Sequence, residues 1–168
     1  PYTTKNVDYA ITSMDMSSSG EYVVTEEAGD VTLTFWDYKV KSWEKSDFLI
    51  ETIDVELSES GSKIAIVDVY NVYYIKKNSK NAVWSVNHPS TEMSAVSISP
   101  DGKFIAAGTI DGDVFVYSTS NSSDVWQHSD VLSGKVTDID FSGDSKSLIF
   151  GTENGRIYIY QVDSSPSA

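Results

Sequence analysis

An all-β chain made of one unit repeated four times is predicted by three observations. Short apolar runs rich in β-branched and aromatic residues alternate with Gly, Pro, Asn and Asp turns, most clearly from Val96 to Trp126. Such runs read as strands joined by hairpins. The turn residues Gly20, Gly61, Gly102 and Ser145 recur at intervals of 41, 41 and 43 residues. Trp43, Trp84 and Trp126 keep the same beat, at intervals of 41 and 42. A period of this length marks an array of small supersecondary units.

Each unit opens on a strand with apolar residues at the same two offsets: Met14 and Met16, Val55 and Leu57, Val96 and Ile98, Ile139 and Phe141. That spacing of two is the strand period. The second strands, Tyr22 to Thr25, Ile64 to Val67, Phe104 to Ala107 and Leu148 to Phe150, are nearly continuous apolar runs. They are expected to be buried on both faces. Turns follow at Gly29-Asp30, Tyr70-Asn71, Asp111-Gly112 and Asn154-Gly155. Third strands are expected at Val31–Phe35, Val72–Ile75, Val114–Tyr117 and Ile157–Tyr160.

The tryptophans mark the fourth strand of the first three units. The last unit stops before its own. Tyr2 lies 18 residues before Gly20, as Trp43 and Trp84 lie 18 residues before Gly61 and Gly102. Residues Tyr2–Asn6 are therefore expected to pair beside Ile157–Tyr160 as a latch joining the first unit to the last. The latch would cover two sheet edges that otherwise invite aggregation. The expected division is one repeat domain over residues 1–163, with units at 7–47, 48–89, 90–131 and 132–163 and the latch at 1–6. Residues 164–168 read as a linker-like tail.

Length and composition set bounds. At 168 residues the chain has the length of one domain with a sizeable core. The net charge of −13, from 25 acids against 12 bases, argues against nucleic acid as a partner, because phosphate binding needs a positive face. It argues equally against an anionic membrane surface. Cationic partners or metal ions are compatible with it. The chain has no cysteine, which excludes disulfides, thiolate nucleophiles and Cys-based metal sites. No apolar run reaches the roughly 18 residues of a membrane helix, and no signal peptide is recognisable. The first residue, Pro1, is read as that of a processed or partial chain. Ser, Thr, Asn and Tyr richness, with few Lys and Arg, leans towards the cell surface over the cytoplasm.

Few residues carry a chemical signature. His88 and His128 each follow a tryptophan at separate places, so they are expected at the surface near the edges of their units and not in one cluster. No serine stands in a Gly-x-Ser-x-Gly elbow, and the Ser-rich stretches at 17–19 and 118–123 read as loops. Asp101-Gly102 and Asp111-Gly112-Asp113 lack the spacing of a calcium loop and read as hairpin turns. No Gly-rich phosphate loop is present. Asn121-Ser122-Ser123 is a glycosylation sequon on an expected loop, relevant to an exported protein.

The repeat resembles the β-propeller units of the WD40 and quinoprotein-like (PQQ-repeat) families, over essentially the whole chain. Val96–Phe104 is similar to the "VxxxxxSPDGKxI" segment of WD40-type blades. Val72–Trp84 is similar to the "VYALDxxTGxxLW" run of quinoprotein-like blades. Phe35-Trp36-Asp37 holds a WD dipeptide.

The resemblance implies four-stranded blades around a central channel, with the first strand of each blade innermost. Asp15, Asp54, Glu56, Asp138 and Asp140 would then crowd the channel. There they would raise one another's pKa values or recruit a cation, or accept hydrogen bonds from backbone and hydroxyl groups, or simply face channel water. Trp43, Trp84 and Trp126 would pack between neighbouring blades, leaving Trp36 as the better exposed contact residue. Complete rings of these families usually carry more than four blades.

The fold expected is thus an all-β β-propeller of four four-stranded blades, either closed on itself or half of a larger or dimeric eight-bladed ring. The function expected is a non-catalytic scaffold module, recognising a protein or another ligand through blade loops and the channel mouth. No catalytic, cofactor-binding or metal-ligating residue is assigned, and no cofactor. The partner is another protein or a second copy, with no nucleic acid and no membrane insertion. The alternatives are a fragment of a quinoprotein-like dehydrogenase or hydrolase whose catalytic residues lie outside this chain, and a purely structural oligomerisation unit.

Overall fold

The structure, a computed structural model, describes residues 10–27, 32–37, 42–46, 52–77, 79, 81–129 and 134–162. The expected latch at 2–6, the Gly29-Asp30 turn and the 164–168 tail lie outside them. Among the described residues, fifteen strands fall into four antiparallel sheets, each in simple sequence order. The first sheet holds β1 (Ile11–Met16), β2 (Tyr22–Glu27), β3 (Thr32–Asp37) and β4 (Ser42–Ser46). The second holds β5 (Thr52–Leu57), β6 (Lys63–Asp68), β7 (Asn71–Lys76) and β8 (Trp84–Asn87). The third holds β9 (Met93–Ile98), β10 (Phe104–Thr109), β11 (Val114–Ser118) and β12 (Asp124–His128). The fourth holds β13 (Val136–Phe141), β14 (Ser147–Thr152) and β15 (Ile157–Gln161). It has three strands among the described residues, where four were expected of a complete blade. No helix among the described residues is long and apolar enough to cross a membrane.

The same turn joins the first and second strand of every blade, and the sequence period arises from it. The glycine or serine at its corner takes a left-handed conformation, with φ of 69° at Gly20, 66° at Gly61, 67° at Gly102 and 62° at Ser145. Its N–H donates to the carbonyl of a serine three residues earlier, at 2.7 to 2.8 Å in all four blades. That serine's Oγ then accepts the N–H five residues on, from Tyr22, Lys63, Phe104 and Ser147 at 2.9 to 3.2 Å. A hydroxyl thus takes up a donor at the strand start that the turn leaves unpaired.

The blades stand side by side in chain order, with β1 beside β5, β5 beside β9 and β9 beside β13. Three apolar clusters fill the junctions. Val24 and Tyr22 meet Val55, Leu57, Ile64 and Ile66 between the first two blades. Ala65, Val72 and Tyr74 meet Val96, Ile98 and Ile105 between the second and third. Ala106, Val114 and Val116 meet Ile139, Leu148 and Phe150 between the third and fourth. Each middle sheet is therefore buried on both faces, which is why β6 and β10 read as continuous apolar runs. In β14 burial alternates instead, and Ile149 is exposed, against the expectation for a second strand. Among the described residues, no further blade packs on its outer face.

Junctions this tight require glycine at particular points. A Cβ on Gly61 would stand 2.5 Å from the Tyr22 ring, and one on Gly108 would stand 2.5 Å from Val136 Cγ1.

Candidate functional site at the channel mouth

The four innermost strands converge on a cavity of about 540 Å³. Asp15, Glu56, Asp138 and Asp140 line it, with Glu59 at its rim and apolar contributions from Met16, Leu57 and Ile98. The period of two along each first strand explains this composition. Side chains on one face enter the junction between blades, and the carboxylates between them are left on the channel side.

The carboxylates do more than face the cavity. Leu57 N–H donates to Asp15 Oδ2 at 2.7 Å, Val96 N–H to Asp54 Oδ2 at 3.0 Å, and Ile98 N–H to Glu56 Oε2 at 3.1 Å. Asp15, Asp54 and Glu56 thus each accept a backbone donor of the next inner strand. Ser13 adds a hydroxyl bond to Asp54 Oδ1 at 3.0 Å. These bonds supply inner-strand donors that have no sheet partner on the channel side. Hydrogen-bond acceptance, one of the roles expected for the acids, is displayed by this geometry. Among the described residues, no group of three or more His, Cys, Asp and Glu is arranged to hold a metal ion.

Burial sets the electrostatics. Desolvation pushes Glu56 up to about 8 from an ordinary 4.5, and Asp15 and Asp54 nearby add to the rise. Asp54 and Asp140 are also raised, by burial first and then by the charge of Asp138, joined for Asp140 by that of Asp15. At neutral pH Glu56 is therefore largely protonated.

The two histidines stand apart from the cavity, as their spacing predicts, but they are half-buried and not at the surface. His88 Nε2 bonds the Tyr117 hydroxyl of the next blade, and its ring sits 4.3 Å from that of Phe115. Burial lowers its pKa below 6.5. His128 Nδ1 bonds the Tyr160 hydroxyl of the next blade at 3.0 Å. Both therefore tie an outer strand to the following blade.

Trp84 and Trp126 act alongside them. Trp84 lies between Tyr74 of its own blade and Tyr117 of the next, at 5.7 and 5.9 Å, and Nε1 donates to the Thr119 carbonyl at 3.3 Å. Trp126 lies 4.5 Å from Tyr160. Trp43 sits on β4 opposite Trp36, which is half-buried and not the exposed contact residue expected. Asp101-Gly102 and Asp111-Gly112 form turns, with Asp101 Oδ1 accepting from Ser99 Oγ and Lys103 N–H. Asn121 stands exposed on a turn.

Two features carry no signal within a single repeat. Asp68, almost fully buried, accepts from Tyr70 N–H, Asn71 N–H and the Tyr73 hydroxyl at 2.8, 2.6 and 2.8 Å, closing the β6–β7 hairpin. The acid-to-amide bonds between blades connect positions 42 residues apart. Only superposing the repeats would have suggested them.

Comparison with known proteins agrees with this geometry. The family "WD domain, G-beta repeat" matches residues 75–118 and 126–161. The second of these segments opens on the fourth strand of one blade and closes on the third strand of the next. The first takes in the last two residues of β7 and then runs likewise, from β8 through to the third strand of the next blade. No support appears for the quinoprotein-like half of the resemblance. No curated protein matches the chain. Among solved structures, the computationally designed Ika4 protein superposes with a TM-score of 0.77 at 16% identity, over 95% of this chain and 95% of that one. The β-propeller domain of Myceliophteria thermophila Cps50 (Swd1) superposes with a TM-score of 0.74 at 16% identity, over 90% of this chain. The chain spans only 52% of that domain, about half its length. The fold is that of a β-propeller, in four blades with WD40 repeats matched at residues 75–118 and 126–161.

Proposed function

We propose that the chain is a non-catalytic protein-interaction module that recognises a basic segment of its partner at the channel mouth. The observation that carries this is the cavity walled by one strand from each blade, with Asp15, Asp138 and Asp140 on its wall and Glu59 at its rim. A net charge of −13 steers cationic segments towards it. The WD40 match supports the scaffold reading, because such repeats typically mediate protein interactions. Self-association belongs to the same reading, with a second copy as one of the partners.

The test is a titration of fluorescent Lys-rich and Glu-rich peptides of equal length, followed by anisotropy. The Lys-rich peptide is expected to bind at least about tenfold more tightly, and the Asp138→Asn/Asp140→Asn double variant to erase most of that difference. Equal binding of the two peptides, or preference unchanged in the variant, overturns the proposal.

A further inference from the structure

Every internal junction is built from the same two half-faces. The forward half-face of a blade carries one residue of its second strand (Val24, Ala65 or Ala106), all fully buried by the following blade. The backward half-face carries two residues of its first strand, and Val55, Leu57, Val96, Ile98, Ile139 and Phe141 are all buried by the preceding blade. Two such half-faces remain uncovered, one at each end. Met14, the counterpart of Val55 at 1% exposure, is 66% exposed. Ile149, the counterpart of Ala106 at 0%, is 44% exposed, and Ile157, the counterpart of Val114 at 0%, is 73% exposed. Met16 and Ile159 repeat the pattern. Aliphatic side chains thus stand in water at the positions that are junction core elsewhere.

The hydrogen bonds show the same open ends. Asp54 and Glu56 accept Val96 and Ile98 N–H of the following blade. Their counterparts in the last blade are Asp138 and Asp140, which line the cavity and accept only the N–H of the next residue in their own strand, from Ile139 and Phe141, with no further inner strand beyond them among the described residues. The donors they match by register are Met14 and Met16 N–H of a first blade, of which Met16 N–H donates to Asp15 Oδ1 of its own strand at 2.7 Å, as Val55 N–H does to Asp54 Oδ1 at 2.9 Å inside an existing junction. At the turns, Ser18 N–H donates to the Glu59 carbonyl and Glu59 N–H to the Pro100 carbonyl, both at 3.1 Å. Gly143 is the next position in that series, and a Cβ there would meet nothing within 4 Å.

We infer that two copies of this chain join head to tail, the fourth blade of each packing Ile149, Ile157 and Ile159 on Met14 and Met16 of the other. This rests on the self-association reading above and adds its register. The interface is heterologous, and such interfaces close when the rotation returns to its start. Two copies make eight blades, within the range that closed propellers adopt, whereas three would exceed it. Each new junction repeats three that the chain already makes.

The absence of cysteine allows a clean test. The 168-residue chain is weighed by light scattering, and a Ser18→Cys/Gly143→Cys variant is oxidised and run on a non-reducing gel. The mass expected is twice the 18.5 kDa of one chain, with the variant as a covalent dimer. Ser18→Cys/Glu59→Cys, across an existing junction, is expected to close within one chain. An Ile157→Asp/Ile159→Asp variant, altered only at exposed positions, is expected to dissociate about ten- to hundredfold more readily. A monomeric mass, or a bond between positions 18 and 143 within one chain, overturns self-association. A dimer that does not cross-link at 18–143 overturns the register and leaves self-association standing.

Discussion

Ser145 occupies a position held by glycine in the other three blades. It carries a φ of 62°, where a side chain is strained. It keeps a side chain there because its Oγ accepts the Asp101 N–H at 3.1 Å, a bond between the third and fourth blades. Ser145→Ala loses the bond and keeps the strain, and is expected to cost about 1 kcal/mol. Ser145→Gly loses the bond but relieves the strain, and is expected to fall within about 0.5 kcal/mol of the parent. Urea denaturation separates these outcomes, and equal losses would remove strain from the account. Glu56 offers a second test at this scale. Its folded pKa of about 8 lies above the ordinary 4.5, so the folded state binds the extra proton. Its contribution is full below about pH 4.5 and is lost as pH rises through 8, at no more than about 1.4 kcal/mol per pH unit. His88 acts with the opposite sign, since its lowered pKa makes stability fall as pH drops below its ordinary 6.5. Glu56→Gln keeps an acceptor for Ile98 N–H and is expected to flatten the stability profile between pH 5 and 8. A profile as steep as the parent's would show that Glu56 ionises normally.

At the scale of elements, the junction between blades is the unit of stability. Gly108 on β10 sits against Val136 of β13, and no φ constraint acts there. Only space requires glycine at that point. Gly108→Ala is therefore expected to cost about 1–3 kcal/mol by overpacking. Adding Val136→Ala should restore part of the loss, whereas additive losses would mean that the contact is not what limits the site. This junction also shows what can be read from sequence. The strands, their order and the corner turns were legible, because the period of two and the left-handed glycines are local properties. That Ile149 would be exposed was not legible. Its strand carries an apolar run like those of β6 and β10, and what distinguishes it is that no blade packs on its outer face among the described residues. The half-burial of His88 and His128 was hidden for the same reason, since the tyrosines that cover them lie 29 and 32 residues away. Alternation with apolar residues put the acids on the opposite face of each first strand and the propeller resemblance put that strand at the channel, but their amide partners were not legible, because those bonds run between repeats.

At the scale of the molecule, charge acts in opposite directions on the two proposed interactions. Each copy carries −13, so two copies approaching one another bring like charges together, and Asp138 and Asp140 of one copy come close to Asp15 of the other. The surfaces that meet are aliphatic, and their attraction does not depend on ionic strength at moderate salt. Screening therefore removes repulsion without weakening the contact, and self-association is expected to tighten with added salt. A basic peptide at the channel mouth is held by the same charge, and its binding is expected to weaken. The Debye length falls from about 10 Å at 0.1 M to about 3 Å at 1 M. Between 0.05 and 0.5 M salt the two dissociation constants should thus move apart, each by about tenfold, the dimer's downward and the peptide's upward. Sedimentation velocity and anisotropy measured on the same samples would show it. If both constants rise together, the dimer is held by polar contacts and the apolar end faces are not its interface. If the peptide's constant does not move, the carboxylates around the cavity do not hold the peptide.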